Sequence, residues 1–407
     1  MTISIVAIAG TRPEFIKTGP VLAELARRDA TVRLVATGQH EDEAMARAAW
    51  SAHPSWPAPE VVLPWSRLAD LSAVETAVAN VGTVRNLLVE FGKVDLVLVQ
   101  GDTASCLSGA LAARSLGLPL AHLEAGLRSY DDAMPEEGIR RRVDALADLL
   151  LAPSALAAAT LRVEKGRGAV RGDVVDVGQT GLDALEAVSD LPASLVAREA
   201  EVVSRLCGAA DAKNAALLTL HRAALDASTV RRAIRVAASE CRRAGIALLV
   251  AEHPRWGGAL RVDDDGLDPP TSRTDVLLVP PLSYGALSRS LWSWCDPGIV
   301  AVFTDSGGLC EEAWRAGVPV ACLRPSTERW ELAERGVPFA DPAGDPEAVA
   351  DACRTAIGFG RGLRRTSRSK GDPYAPPTPG VYAEIEPPTA SRWAASVILS
   401  WLRMERP

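Results

Sequence analysis

The sequence predicts an α/β protein built from two doubly wound, parallel-sheet domains. Three observations carry that prediction. The chain has 407 residues, more than one ordinary core holds and suited to two. Short apolar runs alternate with helical patterns in both halves, the signature of repeated β-α units. Several of those runs end in a Gly-bearing turn that opens a helix, as in parallel sheets whose ligands bind at the carboxyl ends of the strands.

In order, residues 3–9 (ISIVAIA) read as a first buried strand, followed by a helix over 14–28, a strand at 31–37 and a helical pattern to about residue 52. A helix over 71–91 leads to the apolar strand 94–100 and the turn Gly101-Asp102-Thr103. A helix around 104–116 precedes a short strand, 119–124, that ends at Glu124. A helix over 136–149 and a strand and turn at 149–154 complete the first half. The pattern resets over 172–185, which sets the domain boundary between residues 175 and 176: the domains are 1–175 and 176–388. In the second half, strand 215–221 precedes helix 225–243, and strands follow at 246–253, 276–283, 299–305 and 318–324. Residues 256–273 are a loop by composition; the basic run 361–370 and the Pro-rich 372–388 read as solvated linker. Residues 389–404 form a final amphipathic helix carrying Trp393 and Trp401.

Hydrophobic residues make up 48% of the chain, enough for sizeable cores, and the formal net charge of −7 argues against nucleic-acid or membrane-surface binding. No stretch supplies the ~20 unbroken apolar residues of a membrane span, and the N-terminal run lacks the basic flank and length of a signal peptide. The seven cysteines are scattered without C-x-x-C spacing, so free thiols in a reducing cytoplasm are expected, with no metal site.

Asp102, Glu124 and Glu136 stand at the ends of successive elements, and three carboxylates gathered at one sheet edge are costly unless they do acid–base chemistry. Gly10-Thr11-Arg12 opens a helix, with Lys17 a turn beyond; Arg12 and Lys17 suit an anionic group, although a strand–helix turn with a surface Arg is the plainer reading of that motif alone. Ser306-Gly307-Gly308 follows strand 299–305 and opens another helix, where backbone N–H groups and a hydroxyl suit a phosphate. Glu312, in the next turn, is placed to reach ribose hydroxyls, and Arg329 brings charge near the same mouth. His40, His122, His221 and His253 each fall at or near a strand's carboxyl end; the pair His221-Arg222 is assigned to the site first, because imidazole exchanges protons near neutral pH.

Eleven motifs in order, among them GTRPEFIK (10–17), QGDTASCLSGALAA (100–113), HLEAGLRS (122–129), PEEGIRR (135–141), TLHR (219–222), EHP (252–254) and TDSGGLCEEA (304–313), make the chain similar to the UDP-N-acetylglucosamine 2-epimerase family. The resemblance implies the glycosyltransferase-B fold: two Rossmann-like domains with a cleft between them, and a C-terminal helix returning to the first. It implies a UDP-sugar ligand with its nucleotide on the second domain, Arg140 in the binding set, no cofactor and a cytoplasmic homodimer. The chain departs from the family pattern at Ile139, Gln179, Ala223-Ala224-Leu225, Arg255, Cys310 and Trp330, which leaves room for an altered substrate. The expected reaction is loss of the C2 proton as UDP leaves C1, followed by re-addition of UDP or water, with Asp102, Glu124 and Glu136 as acid–base groups and His221 at the leaving phosphate. A glycosyltransferase using the same donor pocket is the rival reading, because fold alone does not separate the two. A nucleotide-sugar sensor is disfavoured by the carboxylates.

Overall fold

The structure is a computed structural model that describes residues 2–39, 43–66, 71–191, 214–222, 225–253, 256, 258–260, 276–292, 298–365 and 390–404. The expectations for His40, Ala223, Ala224, Arg255, most of the 256–273 loop and the Pro-rich 372–388 lie outside the described residues.

The chain divides into two units, Met1–Ala187 with Pro379–Pro407, and Val188–Thr378. The expected boundary at 175 falls inside β7 (Asp173–Asp176), which pairs in parallel with β6 (Leu149–Ala152) as the last strand of the first sheet.

In the first unit, β1 (Ser4–Ala9), β2 (Thr31–Ala36), β3 (Pro59–Val62), β4 (Leu96–Gln100), β5 (Leu120–Leu123), β6 and β7 form a seven-stranded sheet ordered β3-β2-β1-β4-β5-β6-β7. All its pairings are parallel. Every residue of β1, β4, β5 and β6 is buried, so these strands read as continuous apolar runs, as sheets covered on both faces require. The strand order reverses between β1 and β4, and a ligand crevice opens at the carboxyl ends of strands at such a reversal. Helix α1 (Arg12–Ala26) starts there, capped by Thr11 and Glu14. Helix α4 (Ala104–Ser115) starts there too, with Thr103 Oγ1 accepting from Cys106 N–H. Small residues let α4 lie close on the sheet: a Cβ at Gly109 would come within 3.0 Å of Val99. The other described helices of this unit are α2 (Glu43–Trp50), α3 (Ala73–Glu90), α5 (Pro135–Leu146), α6 (Ala155–Gly166) and α7 (Thr180–Ser189).

The second unit carries β8 (Asn214–Thr219), β9 (Ala247–Ala251), β10 (Val276–Val279), β11 (Gly298–Thr304) and β12 (Val320–Cys322) in a parallel sheet ordered β10-β9-β8-β11-β12. Its order reverses between β8 and β11, whose carboxyl ends lead into His221 and into Asp305-Ser306. Helices α8 (Ala227–Arg243), α9 (Tyr284–Trp292), α10 (Gly307–Arg315), α11 (Trp330–Glu334) and α12 (Pro346–Arg365) belong to it. The expected linker 361–370 therefore begins inside a helix; its first five residues extend the last turns of α12, since nothing in Arg361-Gly362-Leu363-Arg364-Arg365 excludes helix. The edge strand β3 went unforeseen because it is four residues long, starts at Pro59 and is only half buried.

Helix α13 (Ala390–Met404) belongs to the first unit. It packs on α1, Ser391 N–H donates to Asp183 at 2.6 Å, and the indoles of Trp393 and Trp401 donate to Asp176 O and the Asp173 carboxylate.

Candidate active site

At the sheet reversal of the first unit, Gly101 turns the chain out of β4 with φ 76° and puts Asp102 at the strand end. Asp102 Oδ2 lies 2.5 Å from Arg140 Nη2, and its side chain keeps 30% of its surface. Glu124, one residue beyond β5, holds the left-handed φ of 67°, uncommon for any residue with a Cβ and a form of strain that concentrates at functional sites. Its carboxylate accepts two bonds from Lys17 Nζ, at 2.6 and 2.8 Å, one from Gln100 Nε2, and one from Gln179 Nε2 at 3.3 Å. Lys17, expected at the diphosphate, is thus held on Glu124; Gln179, a departure from the family pattern, takes part in the same grip.

Glu136 and Glu137 open α5 and differ in fate. Glu137 is buried, accepts from Ser129 N–H and Oγ and pairs with Arg140 at 3.1 Å. Burial works to raise its pKa, but these donors and Arg140 bring it below the usual carboxylate value. Glu136 is half-buried and makes no hydrogen bond or ion pair with the described residues. Glu137 is a residue that the sequence reading missed; its spacing of three from Arg140 was the available signal. Arg12, at the start of α1, is half-buried.

Beside Arg12, Glu14 is buried and accepts from Gly10 N–H, Thr11 N–H, Thr11 Oγ1 and Thr103 Oγ1. It ties the α1 turn to the turn bearing Asp102. Desolvation outweighs those four donors and raises its pKa to about 7.

At the sheet reversal of the second unit, Asp305 is the organising group. It is buried; its Oδ2 accepts from the backbone N–H of His221 and of Arg222, each at 2.8 Å, and Oδ1 lies 3.0 Å from His221 Nδ1. Burial pushes its pKa up, but the imidazole and the two N–H groups leave it below the ordinary value. The His221 ring stacks on that of His253 with centroids 5.6 Å apart. With Nδ1 against Asp305, Nε2 is the nitrogen left to meet a ligand. Arg222 Nε donates to Asp305 O at 3.2 Å. The sequence reading treated Asp305 only as part of a turn.

Ser306 caps α10, its Oγ accepting from Leu309 N–H. The two glycines after it are unequal. A Cβ at Gly307 would meet Glu328 Oε1 at 2.7 Å, whereas a Cβ at Gly308 would meet nothing within 4 Å. Glu312 is buried and accepts from the Tyr284 hydroxyl at 3.0 Å, a partner not foreseen. Arg329, expected at the phosphate mouth, lies buried against Glu311 at 2.8 Å and Glu328 at 3.1 Å, and Arg324 also donates to Glu328. These charges form a compensated layer beneath the turn.

Among the described residues no group of His, Cys, Asp and Glu is arranged to hold a metal ion, and no helix is long and apolar enough to cross a membrane. Cys106, Cys241, Cys310, Cys322 and Cys353 are buried free thiols.

Two parallel-sheet units, each with polar groups at its strand reversal, define a protein of the glycosyltransferase-B fold class. The family model for UDP-N-acetylglucosamine 2-epimerase matches residues 23–378, and the chain belongs to that family. It is 30% identical over 356 residues to a UDP-2,3-diacetamido-2,3-dideoxy-D-glucuronate 2-epimerase of Pseudomonas aeruginosa, covering 87% of this chain and 92% of that one. It is 31% identical over 339 residues to a UDP-N-acetylglucosamine 2-epimerase of Methanocaldococcus jannaschii, covering 81% and 86%. A crystal structure of a UDP-GlcNAc 2-epimerase from Methanocaldococcus jannaschii, in complex with UDP-GlcNAc and UDP, superposes with a TM-score of 0.72 at 26% identity, covering 90% of this chain and 99% of that one.

Proposed function

We propose that this protein is a UDP-sugar 2-epimerase acting on UDP-N-acetylglucosamine or a closely related UDP-2-acetamido sugar. The single observation that carries the proposal is the division of labour among the first-unit carboxylates: Glu124 is saturated by Lys17, Gln100 and Gln179, Asp102 is fixed by Arg140 yet partly open, and Glu136 is uncommitted. That set suits removal of a proton on one side of a sugar carbon and its return on the other. In the proposed reaction the C2–H bond breaks, its electron pair forms the C1–C2 double bond, and the C1–O bond releases UDP with its electrons. Asp102 and Glu136 move the protons, while the Glu124–Lys17 pair supplies a fixed field. On the second unit the open turn at Ser306-Gly307-Gly308 receives the diphosphate, assisted by Arg222; Glu312 takes the ribose; and His221 Nε2, backed by Asp305, stabilises the departing phosphate beside His253. On the first unit Arg12, at the start of α1, is kept as a cation for an anionic group of the ligand. Arg140 holds Asp102, and Arg329 acts on the nucleotide site through the charge layer under Gly307.

Adding UDP back gives the C2-inverted UDP-sugar, and adding water gives UDP and the free sugar. We place the enzyme in the cytoplasm as a homodimer. A glycosyltransferase reading is not favoured, since the chain belongs to an epimerase family. Incubation with UDP-N-acetylglucosamine in deuterium oxide, followed by NMR, is expected to show deuterium at C2 and either of those products. Unlabelled substrate for both UDP-N-acetylglucosamine and a UDP-2,3-diacetamido sugar would overturn the proposal.

A further inference from the structure

His122 stood out in the sequence as a strand-end histidine, yet it is sealed inside the first unit. It does not face a ligand. Its Nδ1 lies 2.6 Å from Asp144 Oδ1, and its Nε2 lies 2.8 Å from the carbonyl oxygen of Gly101, the residue before Asp102. The other oxygen of Asp144 accepts from Gly126 N–H at 3.1 Å, two residues after Glu124, and meets Arg128 Nη2 at 2.7 Å. Arg128 is anchored in turn by Glu164, through Nε at 2.9 Å and Nη2 at 2.6 Å. The side chains of His122, Asp144 and Arg128 expose at most 1% of their surface.

Both tethered turns depend on glycine. Gly101 has φ 76° and Gly126 φ 89°, and a Cβ at Gly126 would lie 2.5 Å from Ala157 O. Glycine itself brings no side chain to hold such a turn; at Gly101 the carbonyl also accepts from Cys106 Sγ at 3.3 Å, a longer and weaker contact than the one from His122. Buried charge also carries a desolvation cost that an apolar residue of the same size would avoid, so stability is a weak reason for it to be here. What the cluster does uniquely is fix two turns, bearing Asp102 and Glu124, relative to one buried carboxylate.

We propose that the buried Arg128–Asp144–His122 cluster is a positioning device for the reaction: Asp144 sets the spacing of the Asp102 and Glu124 turns, and His122 Nε2 is the clamp on the Asp102 side. The consequence for turnover rests on the epimerase reading; the clamp itself does not. None of the three residues touches substrate.

Two conservative variants separate this role from a merely structural one. Gln at position 122 places its amide nitrogen near the site of Nε2 and keeps the clamp on Gly101. Asn places its amide near Nδ1 and keeps the partner for Asp144 while losing the clamp. The expected result is that His122→Asn lowers kcat by at least ~30-fold, the scale of penalty that an ångström of misplacement brings. His122→Gln should recover most of that loss. UDP affinity by calorimetry should stay within about twofold in both, because the nucleotide turn lies on another sheet. Crystal structures of the two variants should show the Gly101-Asp102 turn displaced from Arg140 in Asn and in place in Gln. If His122→Asn does not fold, His122→Phe supplies the arm without the clamp. Equal kcat in the Gln variant and the clamp-free variant, an undisplaced Asp102 in the latter, or loss of folding in both Gln and Asn would overturn the proposal. A wild-type chain that exchanges no C2 hydrogen, combined with a displaced Asp102 in the variant, would sink the epimerase reading and leave the clamp standing.

Discussion

Among the three carboxylates, partners decide what a substitution reports. Glu136 has none among the described residues, so Glu136→Gln is expected to keep the wild-type melting temperature and to cut turnover about 100-fold, the contribution of a general acid or base. Glu124→Gln is different. It leaves the buried Lys17 ammonium without its counter-ion, so stability should fall by about 2 kcal/mol along with activity. Thermal melts of the two variants test this directly; equal midpoints would mean that Lys17 finds another partner. Glu14 gives a third test. Its folded pKa of about 7 lies above the ordinary 4.5, so the folded state binds the proton more tightly. Its contribution to stability is therefore complete below about 4.5 and is lost as pH rises through about 7. Glu14→Gln keeps the shape, with the amide oxygen facing Gly10 and Thr11 and the amide nitrogen facing Thr103. Its stability gain over wild type should grow across that window, to the order of 3 kcal/mol, and level off above it. Denaturant titrations at pH 5, 6, 7 and 8 measure the difference, and a gain that does not change with pH would contradict the assignment.

Elements were readable where local chemistry sets them. Apolar runs ending in Gly-Asp or Asp-Ser-Gly announced β4 and β11 and the helices after them, because a strand that feeds a helix in a parallel sheet needs that turn. Side-chain partners were not readable in the same way. Lys17 and Glu124 are 107 residues apart, and only the order β1-β4-β5 brings α1 over the end of β5. Arg329 looked like a phosphate ligand because its charge was visible and its burial against Glu311 and Glu328 was not. The nucleotide turn shows the same limit: Gly307 and Gly308 are equivalent as letters, but only Gly308 faces open space. Gly308→Asp should therefore fold like the wild type and lose more than ~1.4 kcal/mol of UDP affinity, a tenfold change. Gly307→Ala must push Glu328 aside and should lower both affinity and melting temperature. Calorimetry with UDP and a thermal melt of each variant distinguish the two sites, and unchanged UDP affinity in Gly308→Asp would remove the diphosphate from this turn.

At the scale of the molecule, the reversal of strand order in each sheet sets where chemistry gathers, and that was legible only as an alternation of strands and helices. The place of α13 in the first unit is explained by its contacts: Ala394, Ala395, Ile398, Leu399 and Leu402 are buried, and Trp401 bonds to Asp173 on β7. A stop codon in place of Ala390 should expose α1, lower the melting temperature of the first unit and abolish turnover; a truncated protein with full activity would show that α13 is dispensable. The same helix bears on how the protein is made. Residues 1–187 leave the ribosome first, but the segment that covers α1 is translated only after the whole of 188–378. At about 5–20 residues per second that interval lasts roughly 10–40 s. During it the nascent first unit carries an uncovered apolar strip while its neighbour is still emerging. Chaperone dependence during translation, rather than slow refolding of the finished chain, is where this architecture would make itself felt.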